Sequence, residues 1–171
     1  FKLIELGTKK ILIVNLLGRV FMQYDYDCPF RKMSEILDKF RDENLAAIIV
    51  DLHAEASSEK NAFASYFDGQ LSAILGTHTH VPTCDQKILP KKTAYVTDVG
   101  MVGALNSVIG AKPDSIIKMF LSQYKLPIEP AEDGPAVFNS ILVEIDPKTR
   151  LAKKITRIDK EINIDCWDFS S

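Results

Sequence analysis

The sequence has little net charge and few cysteines, and both shortages exclude classes of function. Its 21 basic and 23 acidic side chains give a formal net charge of −2, so no basic patch for a nucleic-acid backbone or an anionic membrane is predicted. The three cysteines, Cys28, Cys84 and Cys166, are widely spaced and form no C-x-x-C pair. Neither a disulfide framework nor a zinc knuckle is therefore indicated, and a reducing, cytoplasmic setting is predicted.

Long apolar runs are also missing, so no membrane-spanning segment is predicted. The chain has 171 residues, 46% of them hydrophobic and 26% charged, which suits one globular domain over residues 1–171. It starts at Phe1 rather than at a methionine, inside an expected strand, and we therefore expect further sequence upstream. Residues 165–169 are expected to pack on the body of the protein or on another subunit of a homo-oligomer.

The order of the apolar runs predicts an α/β protein built on a parallel sheet. Residues 2–6 and 11–16 flank a turn with Gly7 and predict a β-hairpin. A helical stripe and a strand of near-continuous apolar character follow, as in a βαβ unit. A second helix is predicted with Ser57 or Ser58 as its cap and a buried face at 62, 63, 66 and 67, followed by strands 71–75 and 93–97. A third helix is predicted from Pro113, with an apolar stripe at 116, 117, 120, 121 and 124. A predicted hairpin of 137–145 with 151–158 closes the chain.

Histidine is scarce, and all three histidines follow predicted strands. His53 comes after the strand that includes 48–50, and His78 and His80 come after the strand 71–75. Ligands of open α/β sheets bind at the carboxyl ends of strands, and residues i and i+2 of an extended segment point to the same side. Because neutral imidazole is the commonest metal ligand among side chains, this placement indicates a metal site.

Each of these residues also has a structural interpretation. A single buried histidine most often hydrogen-bonds its neighbours, and Asp51 and Asp98 are typical of caps and turns. Alternatively, Asp51, Glu55 and Asp98 support ligating histidines by accepting their free ring N–H groups. Glu55 is equally suited to begin the following helix.

Several segments of the chain carry a resemblance to a known family. They are Asn15-Leu16 with Gly18-Arg19, Asp51-Leu52-His53-Ala54-Glu55-Ala56 with Ser58-Glu59-Lys60, Gly76-Thr77-His78-Thr79-His80-Val81, Ile88-Leu89-Pro90, and Thr97-Asp98-Val99-Gly100-Met101. The segment 76–80 resembles the G-H-x-H box of calcineurin-like metallophosphoesterases, and the upstream His53 has the right order. The long similar runs resemble the bacterial YmdB-like branch of that superfamily.

The resemblance implies a four-layer α/β/β/α sandwich and a dinuclear metal centre. It makes His53 and His78 ligands of one metal and His80 a ligand of its neighbour, with Cys84 not a ligand. Two divalent ions, iron or manganese by preference and zinc as a third candidate, would activate water and hold a phosphodiester for in-line attack. The implied substrate is a small cyclic nucleotide, especially a 2′,3′-cyclic one, or a related phosphodiester.

Several motifs of the family do not occur in the sequence. Its first aspartate, its bridging acidic residue with the adjacent asparagine, and its Gly-Asn-His box are all missing. The histidine of that box is the expected general acid, so we expect the catalytic acid to lie upstream of Phe1. We also expect the chain to be the C-terminal part of the enzyme. Two alternatives stay open: a mononuclear metal hydrolase that uses the three histidines, and a non-catalytic regulatory or scaffold protein that retains the fold.

Overall fold

A computed structural model describes residues 1–163 of the chain. Its strands and helices follow in an order that alternates β and α elements through the first half. They are β1 (Lys2–Leu6), β2 (Lys9–Leu17), α1 (Pro29–Lys39), β3 (Leu45–His53), α2 (Ser57–Tyr66), β4 (Ala73–Thr77), β5 (Lys87–Ile88), β6 (Ala94–Val96), β7 (Val102–Ala104), α3 (Pro113–Ser122), β8 (Ala136–Phe138), β9 (Ile141–Ile145), β10 (Ala152–Arg157) and β11 (Lys160–Ile162).

The central element is a six-stranded sheet with the order β1-β2-β3-β4-β6-β5. The four inner strands β2, β3, β4 and β6 run parallel, and β1 and β5 pair antiparallel at the two edges. The predicted hairpin of residues 2–6 and 11–16 and the predicted parallel βαβ arrangement are confirmed. As a result, the carboxyl ends of β2, β3 and β4 lie side by side. We call this border of the sheet, which the strand ends form, its carboxyl edge.

The sheet is covered on both faces. Strand alternation sends Leu12, Val14 and Leu16 to one face, where they pack with α1 and α2 through residues such as Met33 and Phe63. The other face carries Ala73, Ala94, Ile49 and Leu75, and it packs against Ala152, Val143 and Ile155 of the antiparallel β9–β10 pair. A helical layer, the main sheet and a second sheet are therefore stacked, with apolar contacts between each pair of layers.

The carboxyl-terminal half differs from its prediction. The expected long strand 137–145 is divided into β8 and β9 because Asn139 and Ser140 make other contacts: the N–H of Asn139 donates to Met101 O and that of Ser140 to Asp159 Oδ1. Strand β8 pairs with β7 and β11, whereas β9 pairs with β10. The predicted tail contacts of residues 165–169, and Cys166, lie outside the described residues.

The helices also correct two expectations. The cap position of α2 is Ala56, with no side-chain cap. The buried face of α2 includes Glu59 and Lys60, whereas Ala62 and Tyr66, which were predicted to be buried, are exposed. In α3 only Ile116 is buried, and the rest of the predicted stripe is exposed within the described residues, up to 83% at Leu121. No helix within residues 1–163 is long and apolar enough to cross a membrane.

Candidate metal centre

The register of the main sheet brings two of the three predicted metal ligands, His53 and His78, together. His53 ends β3 and pairs with Leu17 of β2 on one side and with Thr77 of β4 on the other. His78 is the next residue after β4. The parallel pairing therefore places His53 and His78 at the same sheet edge although 25 residues separate them in the chain.

The two imidazoles face each other through one nitrogen each. His53 Nε2 lies 3.0 Å from His78 Nδ1, and the rings are nearly perpendicular at 86° with centroids 4.8 Å apart. Two nitrogens bound to one ion at about 2.1 Å lie about 3.0 Å apart at right angles and about 3.4 Å apart in a tetrahedron. The spacing of His53 Nε2 and His78 Nδ1 therefore fits two donors to a single metal ion.

Each of these imidazoles has an oxygen partner at its other nitrogen. Glu55 Oε2 lies 2.9 Å from His78 Nε2, and Thr77 Oγ1 lies 3.1 Å from His53 Nδ1. Thr77 Oγ1 also lies 2.7 Å from Asp51 Oδ1, and Asn15 Nδ2 donates to Asp51 Oδ2 over 2.8 Å. Asp51 thus reaches His53 through a threonine hydroxyl, whereas Glu55 contacts His78 directly.

Burial favours the neutral form of His53. Partial burial lowers the pKa of His53 below its ordinary value, and the neighbouring His78 lowers it further. Since metals bind the neutral imidazole, this environment keeps His53 ready for ligation over a wider range of pH.

A buried ion pair holds the loop after β4 that carries His78 and His80. The fully buried Lys60 donates to Thr77 O at 2.8 Å and to Asp98 Oδ2 at 3.1 Å. Asp98 in turn accepts the N–H groups of Thr79 and Gly100. Asp98 therefore hydrogen-bonds the backbone beside His78 and, within the described residues, forms no hydrogen bond with an imidazole.

The same loop has a constrained backbone. His78 and His80 have φ values of 106° and 64°, a region that residues other than glycine rarely adopt. At Gly76 an added Cβ would lie 1.7 Å from Thr97 O, so only glycine allows β4 to approach this carbonyl so closely. Such conformations persist only where surrounding contacts enforce them, and they are frequent at functional sites.

His80 has a different partner from the other two histidines. Its Nδ1 is 2.8 Å from Ile109 O, and its side chain is exposed. Within residues 1–163, no three side chains of His, Cys, Asp or Glu are already arranged around one point as a metal site. The described residues therefore supply one close imidazole pair, with Glu55 beside it and His80 nearby in sequence.

Three contributors to the site were not predicted individually: Asn15, Lys60 and Thr77. A lysine in the first turns of an amphipathic helix is normally exposed to solvent, and only the fold shows that Lys60 is buried. Glu59 has a parallel role, because its buried carboxylate accepts the N–H groups of Arg19 and Val20 after β2. Cys84 is an exposed free thiol.

Comparison with known proteins gives the family of the chain. A family model described as YmdB-like protein matches residues 1–158. The chain belongs to the YmdB-like family. The resemblance that the histidine motifs indicated is therefore confirmed.

Curated relatives of this YmdB-like chain carry phosphodiesterase names. A Bacillus subtilis protein named 2′,3′-cyclic-nucleotide 2′-phosphodiesterase is 41% identical over 155 residues, which is 91% of this chain and 58% of that protein. A Mycoplasma pneumoniae protein named putative phosphatase/phosphodiesterase is 44% identical over 156 residues, which is 90% of this chain and 54% of that protein. The chain spans about half the length of these relatives.

Solved structures confirm the fold. A hypothetical protein from Thermus thermophilus superposes with a TM-score of 0.86 at 39% identity, covering 95% of this chain and 62% of that one. A structure titled as a novel phosphatase from Mycoplasma pneumoniae gives a TM-score of 0.85 at 39% identity, covering 95% and 57%. The predicted calcineurin-like α/β fold is therefore the fold of this YmdB-like chain.

Proposed function

We propose that this chain is part of a dinuclear metal-dependent phosphodiesterase that hydrolyses 2′,3′-cyclic nucleotides or related phosphodiesters. The observation that carries the proposal is the 3.0 Å approach of His53 Nε2 and His78 Nδ1 at the carboxyl edge of the sheet. The identity of 41% to a protein named as such a phosphodiesterase supports the substrate class. A small-molecule substrate also suits a chain whose net charge is −2.

In this proposal the histidines hold two divalent ions. His53 and His78 bind one ion through the paired nitrogens, and His80 binds the second after it exchanges its contact with Ile109 O. Iron and manganese are the preferred ions, with zinc as the alternative, since all three accept imidazole and carboxylate donors. When bound, such ions act as Lewis acids on a phosphoryl oxygen and lower the pKa of water.

The other residues of the site orient the ligands. The carboxylate of Glu55, 2.9 Å from His78 Nε2, accepts the N–H of that nitrogen and leaves Nδ1 for the metal. The buried Lys60 donates to the carbonyl of Thr77 and Asp98 accepts the N–H of Thr79, so this ion pair fixes the backbone of residues 77–79. Because all three histidines serve the metals, protonation of the leaving group falls to a residue outside this set.

The test measures metal content and hydrolysis in the full-length protein. We expect His78→Ala to lose bound metal and to hydrolyse a 2′,3′-cyclic nucleotide at least about a hundredfold more slowly, the upper scale for loss of a supporting contact at a metal site. Gln70→Ala is the matched control, because Gln70 is an exposed polar residue before β4, at the opposite edge of the sheet. Full metal content and activity in the His78→Ala protein would refute the proposal.

The number of bound metals separates the proposal from its alternatives. Two ions per chain are expected for the dinuclear enzyme, one for a mononuclear hydrolase, and none for a non-catalytic scaffold. A His80→Ala variant with one remaining ion would assign the second ion to His80. Elemental analysis of the purified protein gives these counts directly.

A further inference from the structure

Thr77 has a hydroxyl group between an aspartate and a histidine. Its Oγ1 lies 2.7 Å from Asp51 Oδ1 and 3.1 Å from His53 Nδ1. An ionised carboxylate only accepts hydrogen bonds, and a threonine hydroxyl has one proton to donate. Thr77 therefore donates to Asp51, whose other oxygen is already occupied by the side-chain amide of Asn15.

The direction of the hydrogen bond from the Thr77 hydroxyl determines which ring nitrogen of His53 carries the proton. With its proton directed to Asp51, Thr77 Oγ1 accepts from His53, so the hydrogen bond places the imidazole proton on Nδ1. His53 Nε2 then carries a free lone pair, which without a metal accepts the N–H of His78 Nδ1 at 3.0 Å. The ring is held in the one neutral form in which the lone pair of Nε2 is available to a metal ion.

We propose that Thr77, itself held by Asp51, is a positioning residue that fixes His53 as the Nδ1–H tautomer and so prepares Nε2 for metal binding. The inference rests on the proposed metal centre. Partners that orient a ligating imidazole in this way typically contribute 10- to 100-fold to metal affinity. Here a hydroxyl relays the effect of a carboxylate that does not itself reach the ring.

The parallel sheet builds this relay. Asp51 and His53 are residues i and i+2 of β3 and share one face of the strand. Thr77 is the partner of His53 in the neighbouring strand β4, and Asn15 is the partner of Asp51 in β2. Three adjacent strands thus supply the relay, and the β-branched Thr77 side chain has few rotamers in which its hydroxyl can move away.

The test follows the tautomer of His53 by ¹⁵N NMR of the imidazole nitrogens in the metal-free full-length protein at pH 8. We expect Nδ1 of wild-type His53 to be protonated and Nε2 to be unprotonated. Thr77→Val removes the hydroxyl at nearly constant shape, so the preference should be lost and Mn²⁺ affinity in calorimetric titration should fall about 10- to 100-fold. Thr77→Ser keeps the hydroxyl and should restore both properties.

Thr93→Val is the matched control, because Thr93 also has a buried hydroxyl with two partners, the N–H of Gly69 and the carbonyl of Leu71. It should lose stability but keep the His53 tautomer and the Mn²⁺ affinity. Asp51→Ala provides a second route if Thr77→Val does not fold: it frees the Thr77 proton for His53 Nδ1 and should favour the Nε2–H tautomer.

Two outcomes would overturn the role of Thr77. One is an Nε2–H tautomer in wild-type His53, and the other is a Thr77→Val protein with unchanged tautomer and unchanged Mn²⁺ affinity. A wild-type protein that binds no Mn²⁺ would instead overturn the proposed metal centre. The metal-free spectra would then still decide whether Thr77 sets the tautomer.

Discussion

Replacing Lys60 by methionine tests the buried ion pair of Lys60 and Asp98, which holds the loop that carries His78 and His80. The Lys60 side chain is 0% exposed and that of Asp98 is 1% exposed, so neither charge is hydrated when its partner is removed. Removing one member of a buried pair typically costs 3–5 kcal/mol. Asp98 keeps the N–H donors of Thr79 and Gly100, which places the expected loss near the lower end, about 3 kcal/mol.

Urea unfolding of the full-length protein measures this loss. At a slope of about 2 kcal/mol per M, a loss of about 3 kcal/mol lowers the midpoint by about 1.5 M. A Lys60→Met/Asp98→Asn double variant should be destabilised by less than the sum of the single variants, because the two side chains interact directly. In the proposed metal centre, bound metal should also fall, since Lys60 holds the carbonyl of Thr77.

The control for this experiment is Lys10→Met. Lys10 forms a 2.8 Å ion pair with Glu43, but these side chains are 38% and 40% exposed, so solvent compensates for its loss. A Lys60→Met protein that unfolds at the same urea concentration as the Lys10→Met protein would refute the argument from burial. Strictly additive effects of Lys60→Met and Asp98→Asn would refute the direct coupling.

Three further changes have expected outcomes. Gly76→Ala should unfold or severely destabilise the protein in thermal melts because its Cβ would collide with Thr97 O, whereas Gly103→Ala, whose nearest contact would be 3.7 Å, should melt near wild type. Burial alone would raise the pKa of Asp85, but hydrogen bonds from Thr83 and Thr97 hold it below its ordinary value. Asp85→Asn should therefore destabilise at neutral pH, and the difference in urea midpoint should begin to shrink below about pH 4 and continue to shrink as the pH falls through the lowered pKa of Asp85. Arg157→Lys should cost about 1–3 kcal/mol in urea unfolding because one ammonium cannot replace a guanidinium that donates to three carbonyls.

Local sequence signals were sufficient for the parallel sheet and its histidine edge. Near-continuous apolar runs at 48–50 and 71–75 predicted inner parallel strands, since such strands are buried on both faces. The histidines three residues beyond the ends of these runs, His53 and His78, were therefore expected at the carboxyl edge of the sheet. The motif around 76–80 also indicated the YmdB-like family, which the family match confirms.

Short strands and surface exposure were not predictable from local signals. Strands β5, β7 and β11 contain two or three residues each, too few for a hydrophobic period. The stripe on α3 has a helical period, and periodicity alone does not say whether another element covers it. The division of strand 137–145 depends on Met101 and Asp159, which are distant in the chain.

The order of residues was enough to identify the imidazoles suited to metal binding and the strand ends at which they occur. The contact of His53 with His78, the link from His53 to Asp51 through Thr77, and the burial of Lys60 became visible only in the folded chain. These contacts depend on the register between neighbouring strands and on the packing of helix α2 against them. Such contacts join residues 17 to 38 positions apart, and residue order alone does not specify their distance.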